Sequence, residues 1–391
     1  MYRVLGIAPT PFFADRGCHV RILEEAYALQ ALGHHVTICA YHLGRTPAGL
    51  TVHRIPRIPW YSKLDAGPSW HKYYVDMLLT VRALLSGLRD KPDIVHAHLH
   101  EGVFIGYFVS RILDVPLVFD LQGSLIGEML AHEFIADRGV FFRLNRFLET
   151  LTTQMADVIL ASSVGAATYL REDPDLNAKK VHVVPEGIDV DVYARCPDRH
   201  RVRESLGIDA ESVACVYLGL LYPYQGIDAL IRSAPEAFAA CPALHFLVIG
   251  FPNEEHYERL AAETGYGDRF HFVGRVQYED LPSYLVAGDL AVTPKDSRTE
   301  ANSKIYNFMA AGLPVVAYDT PTNHSILGDL GTYAPRGDEA ALARAVGEVA
   351  GDPVRMRAVG LAARARAREF SWLDVGRKIV AVYDEVVGAR E

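Results

Sequence analysis

Residues able to bind a phosphate group are concentrated at two strand-to-helix junctions in the second half of the sequence. At the first junction an apolar run is followed by Gly219, a Tyr-Pro-Tyr-Gln stretch and Gly226, and then by a helical pattern. Glycines let the backbone approach a ligand closely, and the free N–H groups at a helix N-terminus attract an anion. The second junction carries three cations, Lys295, Arg298 and Lys304. These residues indicate phosphate binding, with solvated loop charges as the alternative.

Metal chemistry has weaker support. His96, His98 and His100 alternate along a predicted strand and its exit, which places them on one face, but the sequence offers no identifiable fourth ligand. The stretch Asp189-Val190-Asp191 looks like a metal-binding DxD, yet it lies in a turn where a carboxylate caps the next helix. We therefore expect no metal site and no cofactor. GxGxxG, Walker, HExxH, GxSxG and CxxC motifs are also absent, so the common dehydrogenase, NTPase and hydrolase signatures are missing.

The elements that must position these residues alternate regularly. Short apolar, β-branched runs such as Arg3–Ala8, His35–Ala40 and Leu290–Thr293 read as buried strands, and segments such as Ile227–Ala240 have helical period. Strand and helix in series predict parallel sheets covered on both faces. The fold class is therefore α/β, with two Rossmann-like doubly wound parallel-sheet domains. Ligands of such sheets bind beyond the carboxyl ends of the strands, so we expect the domains to face each other across a ligand-binding cleft.

Composition sets further limits. The 391 residues include 50% hydrophobic residues and carry a formal charge of −9, which is typical of a folded protein and argues against a nucleic-acid partner. Residues 1–180 are neutral, so the whole excess of acidic residues lies in 181–391. Five scattered cysteines, no signal-peptide pattern and no membrane-spanning run predict a cytoplasmic protein.

Several fragments, in order along the chain, resemble family 4 of the retaining, GT-B-fold glycosyltransferases (glycosyl transferases group 1). They are Arg16-Gly17-Cys18-His19 before the first helix, Asp93–His98, Val184–Asp189, Met309–Ala317 and Phe370-Ser371-Trp372. The motifs Tyr224-Gln225-Gly226 and Lys304-Ile305-Tyr306 are similar to those of a variant subset of the family. The resemblance implies an acceptor-binding domain at 1–183, a nucleotide-sugar domain at 184–370, and a helix at 371–391 that returns to the first domain.

The resemblance also implies site residues. Near the reacting sugar and its phosphates it places Glu300, Lys304 and Arg298 as catalytic residues. The donor would contact Gly219, Gln225, Gly226, Arg275, Val276, Lys295, Asn302, Ser303 and Asn307. The acceptor would contact Arg16, Gly17, His19, His98 and Gln122.

The departures from the family pattern matter as much as the matches. The usual Arg and Lys of the diphosphate site are Leu220 and Gln225 here, a usual Glu is Asn307, and a usual His is Gln122. We expect Lys304, with Arg298 or Lys295, to bind the diphosphate instead. The predicted activity is transfer of a sugar from a nucleotide-diphosphate sugar to a hydroxyl of a glycan, a lipid-linked compound or a small molecule. A non-catalytic sugar-nucleotide binding protein and a GT-B sugar-nucleotide epimerase are the alternatives.

The segment Pro56–Tyr74 is rich in aromatic residues, proline and positive charge. Trp and Tyr beside Lys and Arg suit a membrane interface or a lipid-linked acceptor, whereas an ordered loop packed on its domain would have the same composition. A peripheral contact with the inner face of a membrane therefore stays open beside the cytoplasmic location.

Overall fold

The structure is a computed structural model, and it describes residues 1–64, 70–131, 134–176, 178, 180–196, 199–297 and 299–390. The chain divides into two compact units. The first contains residues 1–187, 299–301 and 372–390, and the second contains residues 188–297 and 302–371.

The first unit is built on a seven-stranded, fully parallel sheet with the strand order β3-β2-β1-β4-β5-β6-β7. Every residue of β4 and β5 is buried, as expected of apolar strands that helices cover on both faces. The strands are β1 (Arg3–Ala8), β2 (His35–Ala40), β3 (Thr51–Arg54), β4 (Ile94–His98), β5 (Leu117–Leu121), β6 (Val158–Ala161) and β7 (Val181–Val183). The helices are α1 (Gly17–Ala31), α2 (Lys72–Asp90), α3 (Leu99–Leu113), α4 (Leu125–Ala131), α5 (Val140–Met155), α6 (Val164–Glu172) and α16 (Trp372–Gly388).

The second unit repeats this design with a six-stranded parallel sheet in the order β10-β9-β8-β11-β12-β13. Its strands are β8 (Val213–Leu218), β9 (Leu244–Ile249), β10 (Phe270–Gly274), β11 (Leu290–Thr293), β12 (Val315–Tyr318) and β13 (Thr332–Ala334). Its helices are α7 (Val190–Tyr193), α8 (Arg199–Ser205), α9 (Ile227–Ala240), α10 (Glu254–Glu263), α11 (Leu281–Leu285), α12 (Lys304–Ala311), α13 (Pro321–Leu327), α14 (Glu339–Ala350) and α15 (Pro353–Ala367). Two doubly wound parallel-sheet units confirm the predicted fold class.

The strand order changes direction at one place in each sheet, between β1 and β4 in the first unit and between β8 and β11 in the second. At such a switch point the connections leave the two neighbouring strands on opposite faces, which opens a crevice beyond their carboxyl ends. The loops after β1 and β4, and those after β8 and β11, are therefore where ligands are expected.

The unit boundaries differ from the predicted domain boundaries at 183/184 and 370/371. The backbone beyond β7 stays tied to the first sheet, because the Val184 N–H donates to the Ala161 carbonyl at 2.9 Å. Gly187 then packs so closely on Trp372 that a Cβ on it would lie 2.7 Å from the Trp372 nitrogen. The boundaries consequently fall at 187/188 and 371/372, and residues 299–301 belong to the first unit rather than to the second.

Helix α16 belongs to the first unit, where it packs against α1. The close approach occurs at Gly376, whose missing Cβ would lie 3.0 Å from the Ala28 methyl. None of the helices that the structure describes combines the length and the apolarity needed to cross a membrane.

Candidate functional site

The two predicted phosphate-binding junctions meet at the switch point of the second unit. Gly219 follows β8 and Pro294 follows β11, and these strands are neighbours in the sheet. Gly226 has φ +79°, and a Cβ on it would lie 2.8 Å from the carbonyl carbon of Pro294, with the oxygen closer still. Only glycine avoids both the left-handed strain and this clash, so Gly226 lets the loop after β8 lie directly on the loop after β11.

Lys304, the first residue of α12, carries its positive charge into this junction. Its ammonium donates to Gln225 Oε1 at 3.0 Å and lies 5.5 Å from the centroid of the Tyr217 ring. Nζ is also 2.9 Å from the position that a Cβ on Gly219 would occupy. Lys304 thus stands beside the two glycine-containing turns and the N-terminus of α12, a combination that attracts a phosphate.

Tyr217 stabilises the turn beneath this cation. Its hydroxyl donates to the Leu220 carbonyl at 3.2 Å. Burial, followed by the nearby phenols of Tyr257 and Tyr224, raises the pKa of Tyr217 well above its usual value. The phenol is therefore neutral at physiological pH and adds no negative charge against a diphosphate.

Asn302 is part of a buried polar network instead of a ligand surface. Its Nδ2 donates to Thr293 Oγ1 at 3.1 Å and to Asn323 Oδ1 at 3.0 Å, and the Asn323 Nδ2 donates to the Tyr318 carbonyl at 2.8 Å. The network joins the ends of β11 and β12 to the start of α12. The Asn302 side chain is buried and fixes the residues around Lys304, so a donor contact by Asn302, which stays a prediction, would need this network to open.

The amide of Asn307 is also engaged within the unit. Its Oδ1 accepts from the Tyr193 hydroxyl at 2.8 Å, and its Nδ2 donates to the Ser303 carbonyl at 3.3 Å. Ser303 itself occupies the N-cap position of α12 without a side-chain cap hydrogen bond. In this conformation both ends of the Asn307 side chain have protein partners, so a ribose contact would need the amide to be released.

The remaining predicted donor residues surround the same edge of the sheet. Arg275 is exposed, with its guanidinium carbon 4.8 Å from the centroid of the Phe251 ring, and the neighbouring Val276 is half-buried. Lys295 directly follows Pro294 and is half-buried. Arg298 lies outside the described residues.

In the first unit, the switch-point strand β4 ends at His98, which lies opposite Asp120 of β5 in the sheet register. The His98 Nδ1 is 2.9 Å from Asp120 Oδ2, and the Gln122 amide donates to the same oxygen at 2.8 Å. Arg21 of α1 donates from Nε to Asp120 Oδ1 at 2.9 Å and from Nη2 to the Val184 carbonyl at 3.1 Å. A buried carboxylate thus holds the predicted acceptor residues His98 and Gln122 in place.

The ionised carboxylate of Asp120 decides which nitrogen of His98 faces it as a hydrogen-bond donor. Burial alone would raise the pKa of Asp120, but the Arg21 charge and the His98 hydrogen bond oppose it, and the pKa lies far below the usual value. A carboxylate can only accept hydrogen bonds, so His98 donates from Nδ1 to Asp120. In the tautomer with its single proton on Nδ1, His98 offers Nε2, which has no hydrogen bond from any described residue, as an acceptor.

Behind this group lies a second pair of buried titratable residues, Glu25 and His96. Burial lowers the pKa of His96 to about 3, and its Nδ1 hydrogen-bonds the Tyr383 hydroxyl at 2.7 Å. Burial also raises the pKa of Glu25 well above its usual value, against the opposing charge of Arg21. Arg21 Nη2 is 3.0 Å from Glu25 Oε1, yet neither Glu25 oxygen has a hydrogen bond. We therefore regard Glu25 as a neutral acid and Arg21–Asp120 as the ion pair.

Glu25, His96, His98 and Asp120 are also the residues that could hold a metal ion, since one possible ligand atom from each lies within 4.8 Å of the others. Arg21 already supplies positive charge to both carboxyl groups. His100, which the sequence grouped with the other two histidines, lies in α3 and pairs with Thr152 Oγ1 at 2.8 Å. The residues that sequence reasoning missed here are Arg21, Glu25, Asp120 and Tyr383.

The loop after β1 and the first turn of α1 hold three predicted acceptor residues, Arg16, Gly17 and His19. His19 is completely buried, its Nδ1 accepts from the Ala14 N–H at 2.9 Å and its Nε2 pairs with Thr10 Oγ1 at 2.6 Å. Both ring nitrogens hold the loop, so an acceptor contact by His19, which stays a prediction, would need one of these hydrogen bonds to break. The exposed Gly17 begins α1, and Arg16 donates to the Leu64 carbonyl at 3.1 Å.

Glu300 lies in the short segment that belongs to the first unit. It packs against Gly123, where a Cβ would be 2.9 Å from Glu300 Cγ. Thr299 fixes the segment, because its Oγ1 accepts from the Ser124 N–H at 3.3 Å and its carbonyl accepts from the Ser163 hydroxyl at 2.9 Å. Glu300 is therefore a member of the first unit, close to the loop that carries Gln122.

Comparison with known proteins identifies related chains. A model of the glycosyl transferase 4-like domain matches residues 16–187, and a model of glycosyl transferases group 1 matches residues 212–352. A D-inositol 3-phosphate glycosyltransferase of Nocardia farcinica is 29% identical over 334 residues, covering 80% of this chain and 72% of the relative. Among solved structures, the sucrose-phosphate synthase of Thermosynechococcus elongatus superposes with a TM-score of 0.84 at 20% identity over 100% of both chains. The Anabaena protein HepE in complex with UDP-glucose gives a TM-score of 0.77 at 17% identity, over 98% of this chain and 100% of HepE.

Proposed function

Since the chain belongs to the glycosyltransferases, with a 4-like domain followed by a group 1 domain in a GT-B fold, we propose that it transfers a sugar from a nucleotide-diphosphate sugar to an acceptor hydroxyl with retention of the anomeric configuration. The second unit would bind the donor and the first unit the acceptor. The observation that carries the proposal is the Lys304 ammonium held against Gly219 and Gln225 at the switch point of the second sheet. A donor of this class also agrees with the UDP-glucose bound by HepE.

The proposed chemistry requires stabilisation of a leaving diphosphate. As the bond between the anomeric carbon and the phosphate oxygen breaks, its electron pair moves to the diphosphate and the sugar ring becomes positively charged. Lys304 and the N–H groups at the start of α12 would stabilise the growing negative charge because they are fixed in place before the reaction. In a retaining reaction the acceptor oxygen bonds to the face of the anomeric carbon that the diphosphate leaves. The proton of the acceptor hydroxyl can pass to the departing phosphate oxygen. Glu300 would stabilise the positive ring.

On the acceptor side, His98 Nε2 would accept a hydrogen bond from an acceptor hydroxyl other than the reacting one, and would thereby orient the acceptor. Asp120 supports this role because it keeps the proton of His98 on Nδ1. Gln122 and Arg16 are further candidates for acceptor contacts. The acceptor would supply a hydroxyl of a glycan, a lipid-linked compound or a small molecule.

No metal takes part in the proposed reaction, because cations of the chain replace it at the diphosphate. EDTA should leave the rate of transfer unchanged. A cytoplasmic location is part of the proposal and is supported by five free cysteines, which suit a reducing compartment.

The experiment that tests the function begins with a panel of UDP-, GDP-, ADP- and dTDP-sugars and thermal unfolding. A ligand that binds only the native state raises the apparent stability, so the donor is the nucleotide sugar with the largest shift. Transfer is then measured with that donor and an acceptor panel, and the anomeric configuration of the product is read by NMR. Donor binding without transfer or hydrolysis would favour the non-catalytic alternative, and a new sugar nucleotide formed from donor alone would favour the epimerase. An inverted product would overturn the retaining assignment.

A further inference from the structure

Three neighbouring helices of the first unit expose large apolar side chains to solvent. Helix α2 packs against α3, and α3 packs against α5. The exposed residues are Tyr73, Met77, Val81, Leu85 and Leu88 on α2, Phe108 and Ile112 on α3, and Val140, Phe141, Leu144 and Phe147 on α5. Their spacing of three and four residues puts them in one stripe on each helix. We call this surface the α2–α3–α5 face.

Helix α5 shows most clearly that the face is unusual. Its buried residues are polar: Glu149, Thr152 and Thr153. By contrast, Phe141 and Phe147 are 69% and 60% exposed. A helix at the surface of a soluble domain normally buries its apolar stripe, so α5 has the reverse arrangement. Contiguous exposed apolar surface of this kind marks a site of interaction with a protein or a membrane.

The charges beside the face indicate which of these it contacts. Exposed cations on the three helices and their flanks outnumber exposed carboxylates among the residues that the structure describes. The cations are Arg89, Lys91, Arg111, Arg138 and Arg143, and the carboxylates are Asp114, Asp137 and Asp157. Trp60 and Trp70, both exposed, lie just before α2. Apolar side chains with basic residues and Trp are the composition of a helix surface that lies in the interface of an anionic bilayer.

We propose that the α2–α3–α5 face docks the protein on an anionic lipid bilayer. A second copy of the chain fits the face less well, because a two-fold symmetric contact would set the same cations against each other. Docking deepens the proposed function, since it would bring the first unit, the acceptor side, to a membrane where a lipid-linked acceptor is found. The binding itself is independent of catalysis.

The test measures partition of the whole protein onto sedimented vesicles of phosphatidylcholine with and without 30% phosphatidylglycerol, a composition chosen as about the anionic fraction at which surface charge attracts basic proteins. We expect binding to the anionic vesicles that weakens with salt. The double substitution Phe141→Ser/Phe147→Ser should lower the partition coefficient about tenfold or more, since it removes two aromatic anchors. The substitution Arg111→Glu/Arg143→Glu should weaken binding to anionic vesicles only. The matched control is Leu361→Ser, which changes a residue that is 68% exposed on α15 of the second unit.

Circular dichroism of each variant and transfer to a soluble acceptor separate docking from folding and from activity. Loss of vesicle binding with unchanged transfer supports the proposal. Equal partition of wild type and the double Phe variant, or equal partition onto neutral and anionic vesicles, would overturn it. A dimer in solution that the same Phe substitutions dissociate, without vesicle binding by the wild type, would also overturn it and assign the face to a second copy. Failure of the sugar-transfer assay alone would affect the proposed function and leave the docking result unchanged.

Discussion

Replacing Lys304 by methionine removes the ammonium at the switch point of the second unit and keeps most of the side-chain volume. In the structure Nζ donates to Gln225 at 3.0 Å, and Gly219 leaves room beside it. A hydrogen bond to a charged group contributes about 1.5–3 kcal/mol. If Lys304 makes one such bond to the leaving diphosphate, its loss lowers kcat/KM for the donor by about 10- to 150-fold.

The assay is the initial rate of transfer at subsaturating donor, together with calorimetric affinity for the free nucleoside diphosphate. Lys378→Met is the control, because Lys378 is an exposed lysine on α16 in the first unit. Thermal unfolding of both variants is needed, since Gln225 is buried and loses a hydrogen-bond partner when Lys304 is replaced. A folded Lys304→Met protein with less than about a threefold change in kcat/KM, against the range expected for a charged hydrogen bond, would refute the assignment of Lys304 to the diphosphate.

Three further predictions concern stability. Gly226→Ala should lower the melting temperature clearly more than Gly265→Ala. The two glycines have nearly the same φ, +79° and +80°, but only Gly226 has atoms within 4 Å of the added methyl. Equal shifts would mean that the clash contributes nothing and that both variants lose only the backbone strain of about 1–2 kcal/mol. Asp120→Asn, which breaks a buried ion pair, should cost about 3–5 kcal/mol in urea unfolding, whereas Asp93→Asn at an exposed pair should cost about 0–1 kcal/mol. Glu25→Gln should raise the melting temperature at pH 7 and have little effect near pH 4. The pKa of Glu25 is raised on folding, so the folded protein loses stability as the pH rises above the unfolded pKa of about 4.3; an effect of Glu25→Gln that does not depend on pH would contradict this.

The sequence predicts the sheets where strands are short apolar runs. The bounds of β1, β2 and β11 coincide with the predicted ones, as do those of α9. Strands β3 and β13 were not predicted because they lie at the edges of their sheets and are only partly buried, so they lack a continuous apolar run.

The candidate site, too, could be predicted from the sequence only in part. The grouping of Gly219, Gly226 and Lys304 follows from two local patterns, each of which joins a strand to a helix, and from the parallel strand order that brings such junctions to one edge. The buried pairing of Arg21 with Asp120 joins residues that are 99 positions apart, and neither segment contains a local signal for it. The partners of His19 were unpredictable for a related reason, since only the folded loop shows that its ring nitrogens are bonded to Thr10 and Ala14.

The contribution of α16 to the first unit has a consequence for biosynthesis. Buried Tyr383 packs there on His96, and Tyr2 of the first strand region donates to Asp384 at 2.5 Å. During translation, at about 5–20 residues per second, the segment that completes this unit leaves the ribosome only after the whole second unit has been made. The second unit can therefore fold while the first still exposes the α1 surface that α16 will cover. Newly made chains should depend on chaperones mainly during that waiting period. A stop codon directly before Trp372 should destabilise the N-terminal unit, although it removes no strand of its sheet.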